Sequence, residues 1–443
     1  MPIEDRRGWA EPFGIERAAA EIREYGRRLD GPHDLDPLID RLAETDVVLL
    51  GEASHGTSEF YRWRATISAE LIRDHGFDFV AVEGDWPSCF AVNQFVRNAA
   101  DGPETVREAV DAFDRWPTWM WANWEAVGFF EWLAVHNEEA SPAEHAGFYG
   151  LDVYSLHESM EAVVDYLEDV DPMAAAEHAR QAYRCFEPYG EDGQEYAQAM
   201  RMVPEDCEDD VVSVLTEMLD RRRTEADGDA PESVFAAEQN AHVAKNAEAY
   251  YRALASSENS WNVRDEHMAD TLARLRDFHD GGKAIVWAHN THVGDARATD
   301  MPRRDRLNLG QLVRESEADC EIVGFGTHRG DVIAADEWGE TPREMRVPDA
   351  QDGSYEDAFH AADGADRLLF TDRIGADDAL AEPRGNRAIG VVYRPALESG
   401  NYVPTDLRER YDAFIHIDET EALHAIERHP ERERVPELYP YGV

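Results

Sequence analysis

Apolar residues fall along this chain in two rhythms. DVVLL (46–50) and FDFVAV (77–82) are short, continuous β-branched and aliphatic runs, the pattern of strands buried on both faces. Between them, SEFYRWRATISAELIRDHG spaces its apolar residues helically and stops at Gly76. Strand, helix and strand make one βαβ unit, whose crossover is expected to be right-handed. Ahead of it, the span from about Ile15 to Leu42 reads as helix broken near Gly31-Pro32.

From about Leu156 to Ala255 the rhythm is helical throughout, with acidic, Gly- and Pro-bearing turns between segments such as SLHESMEAVVDYLEDV and VFAAEQNAHVAKNAEAYYRAL. The strand rhythm then returns in KAIVWAHN, EIVGFGTH, DRLLFTDR, RAIGVVYRP and AFIHID. The expected fold class is α/β: a mainly parallel sheet flanked by helices, with a helical insertion. With no internal repeat or low-complexity linker, the organisation expected is an N-terminal extension with the start of the first helix (1–29), a single α/β domain (30–430) including the insertion at about 156–256, and a C-terminal tail (431–443).

Charge narrows the partners. Against 93 acidic residues there are only 43 basic ones, a formal net charge of -50, which argues against nucleic acid or an anionic membrane as partner. The acidity is dispersed, and Lys245 and Lys283 are the only lysines, a composition expected of a solvated surface adapted to high salt. Cys89, Cys185, Cys207 and Cys320 stand apart with no CxxC pair, so neither a disulfide framework nor a thiolate zinc site is expected. MPIEDRRGWAEPFG has no apolar leader and no stretch approaches a membrane span, so the expected location is the cytoplasm.

In open parallel sheets, ligands bind beyond the carboxyl ends of the strands. Three runs here end in ionisable residues: DVVLL leads to Glu52 and His55, FDFVAV to Glu83, and KAIVWA to His289 and His292. Taken singly, Glu52 has a cap role as its ordinary alternative, His55 that of a loop histidine bonded to backbone, and Glu83 that of a solvated turn residue. One of His289 and His292 is expected to be structural. Repetition at equivalent strand ends favours one site, because burying several ionisable groups together is costly without pairing or function. Ser54 adjoins His55 but points elsewhere, no GxSxG elbow follows a strand, and no cysteine lies in a nucleophile context. The chemistry left is water activation, by a general base or by a metal.

GEASHGTSEFYRWR, FVAVEGDW, RDEHMADTL and WAHNTHV resemble the signature segments of the erythromycin esterase family. MWANWEAVGFFEWL, GFYGLDVYSL, GSYEDAFH and VVYRPALESGNYVP follow in family order, so the likeness covers roughly residues 30 to 430. The resemblance implies an α/β core with a helical insert and hydrolysis of a carboxylic ester or macrolide lactone by activated water. Other members of the family are labelled succinoglycan-biosynthesis-like. By position, the resemblance makes His55 the general base, gives Glu52 and Glu83 the task of orienting or polarising it and the water, and assigns His289 and His292 to the second histidine motif. It marks Arg64 and Arg264 as motif arginines, partners of the carboxylates or contacts for substrate.

No cofactor is required on this reading. The alternative is a divalent metal held by Glu52, His55, Glu83, His289 and His292, since a distantly similar superfamily that includes Tiki-type metalloproteases places Glu and His in comparable loops. A non-catalytic small-molecule binding protein is the third reading. Trp86 is a candidate substrate contact. Trp116, Trp119, Trp121 and Trp124 either wall an apolar crevice or pack in the core. His242 is expected on a helix as a surface or core residue, and His328 after a strand is the better outsider.

Overall fold

The computed structural model describes residues 12–141, 144–189, 193–201, 206–225, 232–256, 259–316 and 319–426. The expected tail 431–443 and the first eleven residues of the expected extension lie outside these. The strands in chain order are β1 (Arg27–Arg28), β2 (Val47–Leu50), β3 (Phe79–Asp85), β4 (Gly147–Asp152), β5 (Ala284–Trp287), β6 (Cys320–Ala334), β7 (Arg343–Val347), β8 (Arg367–Phe370), β9 (Arg384–Arg387), β10 (Tyr402–Thr405) and β11 (Ala413–Thr420).

Among the described residues, nine strands form one sheet in the order β1-β8-β11-β6-β2-β5-β3-β4, with β7 paired to β6. From β11 to β4 every neighbouring pair is parallel, while β1, β7 and β8 join antiparallel. The central strands are buried on both sides. Val48, Leu50, Val80, Val82, Ile285 and Trp287 enter one apolar cluster, and Val47, Leu49, Phe79, Ala81, Ala284 and Val286 enter another across the sheet. Period-two alternation within an unbroken apolar run is the reason these segments carry no polar face.

Seven helices matter for the site. α1 (Ser58–His75) follows β2, and Gly76 closes it in the left-handed region at φ 68°. α2 (Trp86–Val96) follows β3 and α3 (Trp124–Glu139) precedes β4. The insertion runs from α4 (Leu156–Val170) to α5 (Glu232–Ala255) around its own core, which includes Val163, Phe186, Tyr196 and Tyr251. α6 (Ser260–Phe278) returns the chain to β5, and the single turn α7 (Asn290–Val293) follows β5.

Four expectations are corrected. The fourth parallel strand, β4, was not foreseen, because GFYGLD is broken by two glycines and lacks an unbroken apolar run. RAIGVVYRP is not a sheet strand. It contributes only Arg387 to β9, which pairs with β10 in a separate ribbon, and then single bridges from Ile389 to Ser54 and from Val392 to Ala335. His328 lies inside β6 rather than after it, because pairing with β7 prolongs that strand to Ala334, and its ring stacks on His360 at 3.8 Å. Cys185 and Cys207 are joined in a disulfide within the insertion; 22 residues of separation carry no sequence motif.

Closing a loop of that length removes entropy from the unfolded chain, a contribution of about 3 kcal/mol. Cys207→Ser is therefore expected to lower the stability of oxidised protein by about that amount in urea unfolding, with the loss absent when both proteins are reduced.

Candidate active site

Because β5 lies between β2 and β3, the three strand ends singled out from the sequence are neighbours, and their loops meet. The GEASHG loop fits this crowding only with its two glycines. A Cβ on Gly51 would stand 2.1 Å from Asn290 Oδ1, and one on Gly56 would stand 1.9 Å from the Ile333 carbonyl oxygen. Glu52, His55, Glu83, His289 and His292 are all buried there.

The contacts form one chain of acids and bases. Arg64, fully buried on α1, donates from Nη2 to Glu52 Oε2 at 2.7 Å, and its guanidinium lies over the rings of Tyr61 and Trp287. The other Glu52 oxygen, Oε1, meets His55 Nδ1 at 2.8 Å. His55 Nε2 then faces Glu83 Oε1 at 3.9 Å, and the His55 and His289 rings lie 4.9 Å apart. Glu83 accepts from Arg264 Nη2 at 2.8 Å and from the His289 backbone N–H at 2.9 Å.

Arg264 also donates to both oxygens of Asp152, at 2.9 and 2.6 Å, and from Nη1 to His292 Nε2 at 3.1 Å. His292 Nδ1 meets Asp265 Oδ1 at 2.9 Å, and Trp261 stacks on the His292 ring at 4.6 Å. His289 N-caps α7: its Nδ1 accepts from the Thr291 N–H at 3.3 Å and lies 2.8 Å from the Thr291 hydroxyl. That leaves the proton of the neutral ring on Nε2, which has no closer polar contact than a weak one to the Ala53 backbone.

These pairings set the charges. Burial disfavours a charged His55 ring, but Glu83 and the bond to Glu52 outweigh it, and its pKa is raised above the ordinary value. Burial alone would raise the Glu83 carboxyl; protons taken up by the His292 or His55 rings, together with Arg264 and the His289 backbone N–H, overcome that and hold it far below the usual carboxylate range. Burial, with the His55 ring close by, keeps His289 well below its ordinary value, so it is a neutral imidazole. Asp85, at the same strand end and paired to Arg115, is pushed up to about 6 by burial.

A cavity of about 810 Å³ opens over this centre. His55, Glu83, His289 and His292 are in its floor, and its walls include Trp121, Tyr154, Gln198, Trp338 and Val391. The insertion and the 388–401 segment thus both contribute to the wall.

Arg64 and Arg264 are carboxylate partners, and Arg264 also reaches the cavity. Trp86, the candidate substrate contact, does not line the cavity. It is fully buried, stacks on Tyr149 and Phe90, and lies among the cavity's supports rather than its lining. The other tryptophans divide: Trp116 and Trp121 line the cavity, Trp119 packs in the core, and Trp124 is 61% exposed. His242 is largely buried beside Glu238 on α5, and its pKa is pushed down to about 3, by burial first. Ser54 bonds Thr57 and not His55.

Sequence reasoning missed Asp152, Asp265, Thr291 and Trp261. In a chain with 93 acidic residues no spacing marks the two aspartates, although Asp265 adjoins Arg264. Of the residues suited to a metal, the two glutamates are already engaged, since both Glu52 oxygens and both Glu83 oxygens hold protein donors, whereas Nε2 of His55 and of His289 face no such partner. Among the described residues, no group of three or more His, Cys, Asp or Glu is arranged to hold a metal ion, and no helix is long and apolar enough to cross a membrane.

An α/β sheet whose central strand ends converge on buried acids and bases under a large cavity has the layout of an active site, and likeness to known proteins names the family. The sequence model described as Erythromycin esterase matches residues 72–420, beginning after the GEASHG loop. Erythromycin esterase type II of Escherichia coli is 26% identical over 395 residues, covering 83% of this chain and 90% of that protein. Among solved structures, a succinoglycan biosynthesis protein superposes with a TM-score of 0.77 at 20% identity, covering 94% of this chain and 100% of its own. An erythromycin esterase, a histidine-to-asparagine mutant of EreC in its open conformation, gives 0.64 at 16% identity, covering 88% and 94%. These two likenesses concern the fold. The chain belongs to the erythromycin esterase family and is an ester-hydrolysing enzyme.

Removing the Arg64 cation would leave the Glu52 charge buried without its partner. Arg64→Met is expected to cost about 3–5 kcal/mol of folding stability, measured by denaturant unfolding; a loss below about 1 kcal/mol would show that Glu52 does not depend on the pair.

Proposed function

We propose that this enzyme cleaves a bulky carboxylic ester or macrolide-type lactone by direct attack of water, with His55 as the general base and no covalent serine or cysteine intermediate. The observation that carries the reading is the Glu52–His55 pair. Glu52 takes the Nδ1–H, so the neutral ring presents its Nε2 lone pair toward Glu83 and the cavity.

Water between His55 Nε2 and the Glu83 carboxylate would give its proton to the imidazole as its oxygen attacks the ester carbonyl. The resulting imidazolium is stabilised by Glu52 behind it and Glu83 before it. The carbonyl oxygen gains negative charge and needs a donor, and the Nε2–H of neutral His289, on the same floor, supplies one. Collapse of the tetrahedral adduct returns the proton from His55 to the departing alkoxide. His292, bonded on both ring nitrogens, takes no part in this transfer. A cavity of about 810 Å³ with tryptophan, tyrosine and valine in its walls suits a large, mainly apolar substrate.

His55→Ala is expected to lower kcat by about 10²–10⁴-fold while the protein remains folded by circular dichroism; undiminished turnover of a lactone or ester panel would remove His55 from the mechanism. Activity is expected to survive exhaustive chelation, and its loss on metal removal with recovery on readdition would support the metal-dependent alternative.

The base works only when neutral, and its pKa is raised. The acid limb of kcat/KM is therefore expected above about 6.5, the ordinary histidine value, with activity rising as pH increases through it. A limb below that value in a pH–rate profile would contradict the assignment.

A further inference from the structure

We propose that Asp265 is a positioning residue for this chemistry, acting through the tautomer of His292. The inference rests on the acid–base reading of Glu83 and His55. A guanidinium has N–H groups to donate and no acceptor, so His292 Nε2, 3.1 Å from Arg264 Nη1, takes the bond with its lone pair. The single proton of the neutral ring is then on Nδ1, and Asp265 accepts it at 2.9 Å.

Asp265 is itself fixed. It is fully buried, and its Oδ1 also accepts the Leu309 N–H at 2.9 Å. Trp261 lies parallel to the imidazole, 7° from coplanar, which holds the ring plane. His292 thus joins a fixed carboxylate on one side to the Arg264 guanidinium on the other.

The consequence falls on Glu83. Arg264 makes a bidentate bond to Asp152 and gives one further N–H each to Glu83 and His292. If the His292 proton moved to Nε2, that nitrogen would oppose the Arg264 N–H and offer a donor to Glu83 Oε1, 3.5 Å away. Arg264 would be displaced, and the Glu83 carboxylate would turn from His55 toward His292. Asp265 prevents this by making the Nδ1–H form the favoured one, as second partners of catalytic and metal-bound imidazoles generally do.

The test reads the tautomer and the turnover separately. NMR of isotope-labelled imidazole nitrogens in the full-length protein, with the His292 signals assigned by their absence in His292→Gln, is expected to show a neutral ring protonated on Nδ1 at neutral pH. Asp265→Asn is expected to move that proton to Nε2 and to lower kcat about 10–100-fold, the range found for such outer partners, with KM within about twofold. An Nε2–H tautomer or an imidazolium in the unmodified protein overturns the proposal, and that measurement stands even if Asp265→Asn fails to fold. A folded Asp265→Asn with full kcat, or with lowered kcat and an unchanged tautomer, overturns it too. Full turnover in His55→Ala would instead defeat the acid–base reading and leave the tautomer result intact.

Discussion

Four carboxylates, Glu52, Glu83, Asp152 and Asp265, are buried where the parallel strands end, and a carboxylate without partners in such a place is prohibitively costly. Two arginines carry much of that requirement. Arg64 comes from the helix after β2, and Arg264 from the helix that leads out of the insertion toward β5. The chain must therefore bring the end of a long helical excursion back over the β3 and β4 edge before Glu83 and Asp152 are satisfied. Anions still exceed guanidinium groups at this point, and the excess is what gives His55 its affinity for a proton.

The sequence was most legible where the physics was simplest. β2, β3 and β5 are buried on both faces, so their apolar runs are unbroken and their polar ends stand out. Their adjacency was the condition for a shared site, which the sequence left open, and the strand order β2-β5-β3 meets it. β4 was hidden by Gly147 and Gly150, the latter a position where a Cβ would stand 2.4 Å from the Gly84 carbonyl oxygen. Asp152 was hidden with it. Asp265 looked like any acidic residue on a polar helix in a very acidic chain. Only its burial against His292 distinguishes it.

Arginine is used unusually in the interior. Arg64, Arg264, Arg367, Arg384, Arg387 and Arg410 are all buried, and Arg410 reaches the active-site loop by donating to the Asn290 carbonyl oxygen at 2.9 Å. A guanidinium stays charged, is weakly hydrated and donates in several fixed directions, so it can bind carbonyl groups of several loops at once. Arg387 does so with the carbonyls of Thr327, His328 and Pro348. The same side chain thus pins both the loops of the site and the supports behind them.

The position of β5 has a temporal meaning. It fills the gap between β2 and β3, yet it is synthesised after them and after the whole insertion. Until residue 287 has left the ribosome, β2 and β3 have no common neighbour, and the inner edges of both stand unpaired. The partly made chain must keep those apolar edges from pairing with others, while the insertion can already close around its own core. Assembly of the Glu/His centre waits for this non-local closure, which contact-order arguments make slow. An enzyme built this way cannot form its reactive centre until the whole insertion and β5 have been made, with β6, β7, β8 and β11 still to follow.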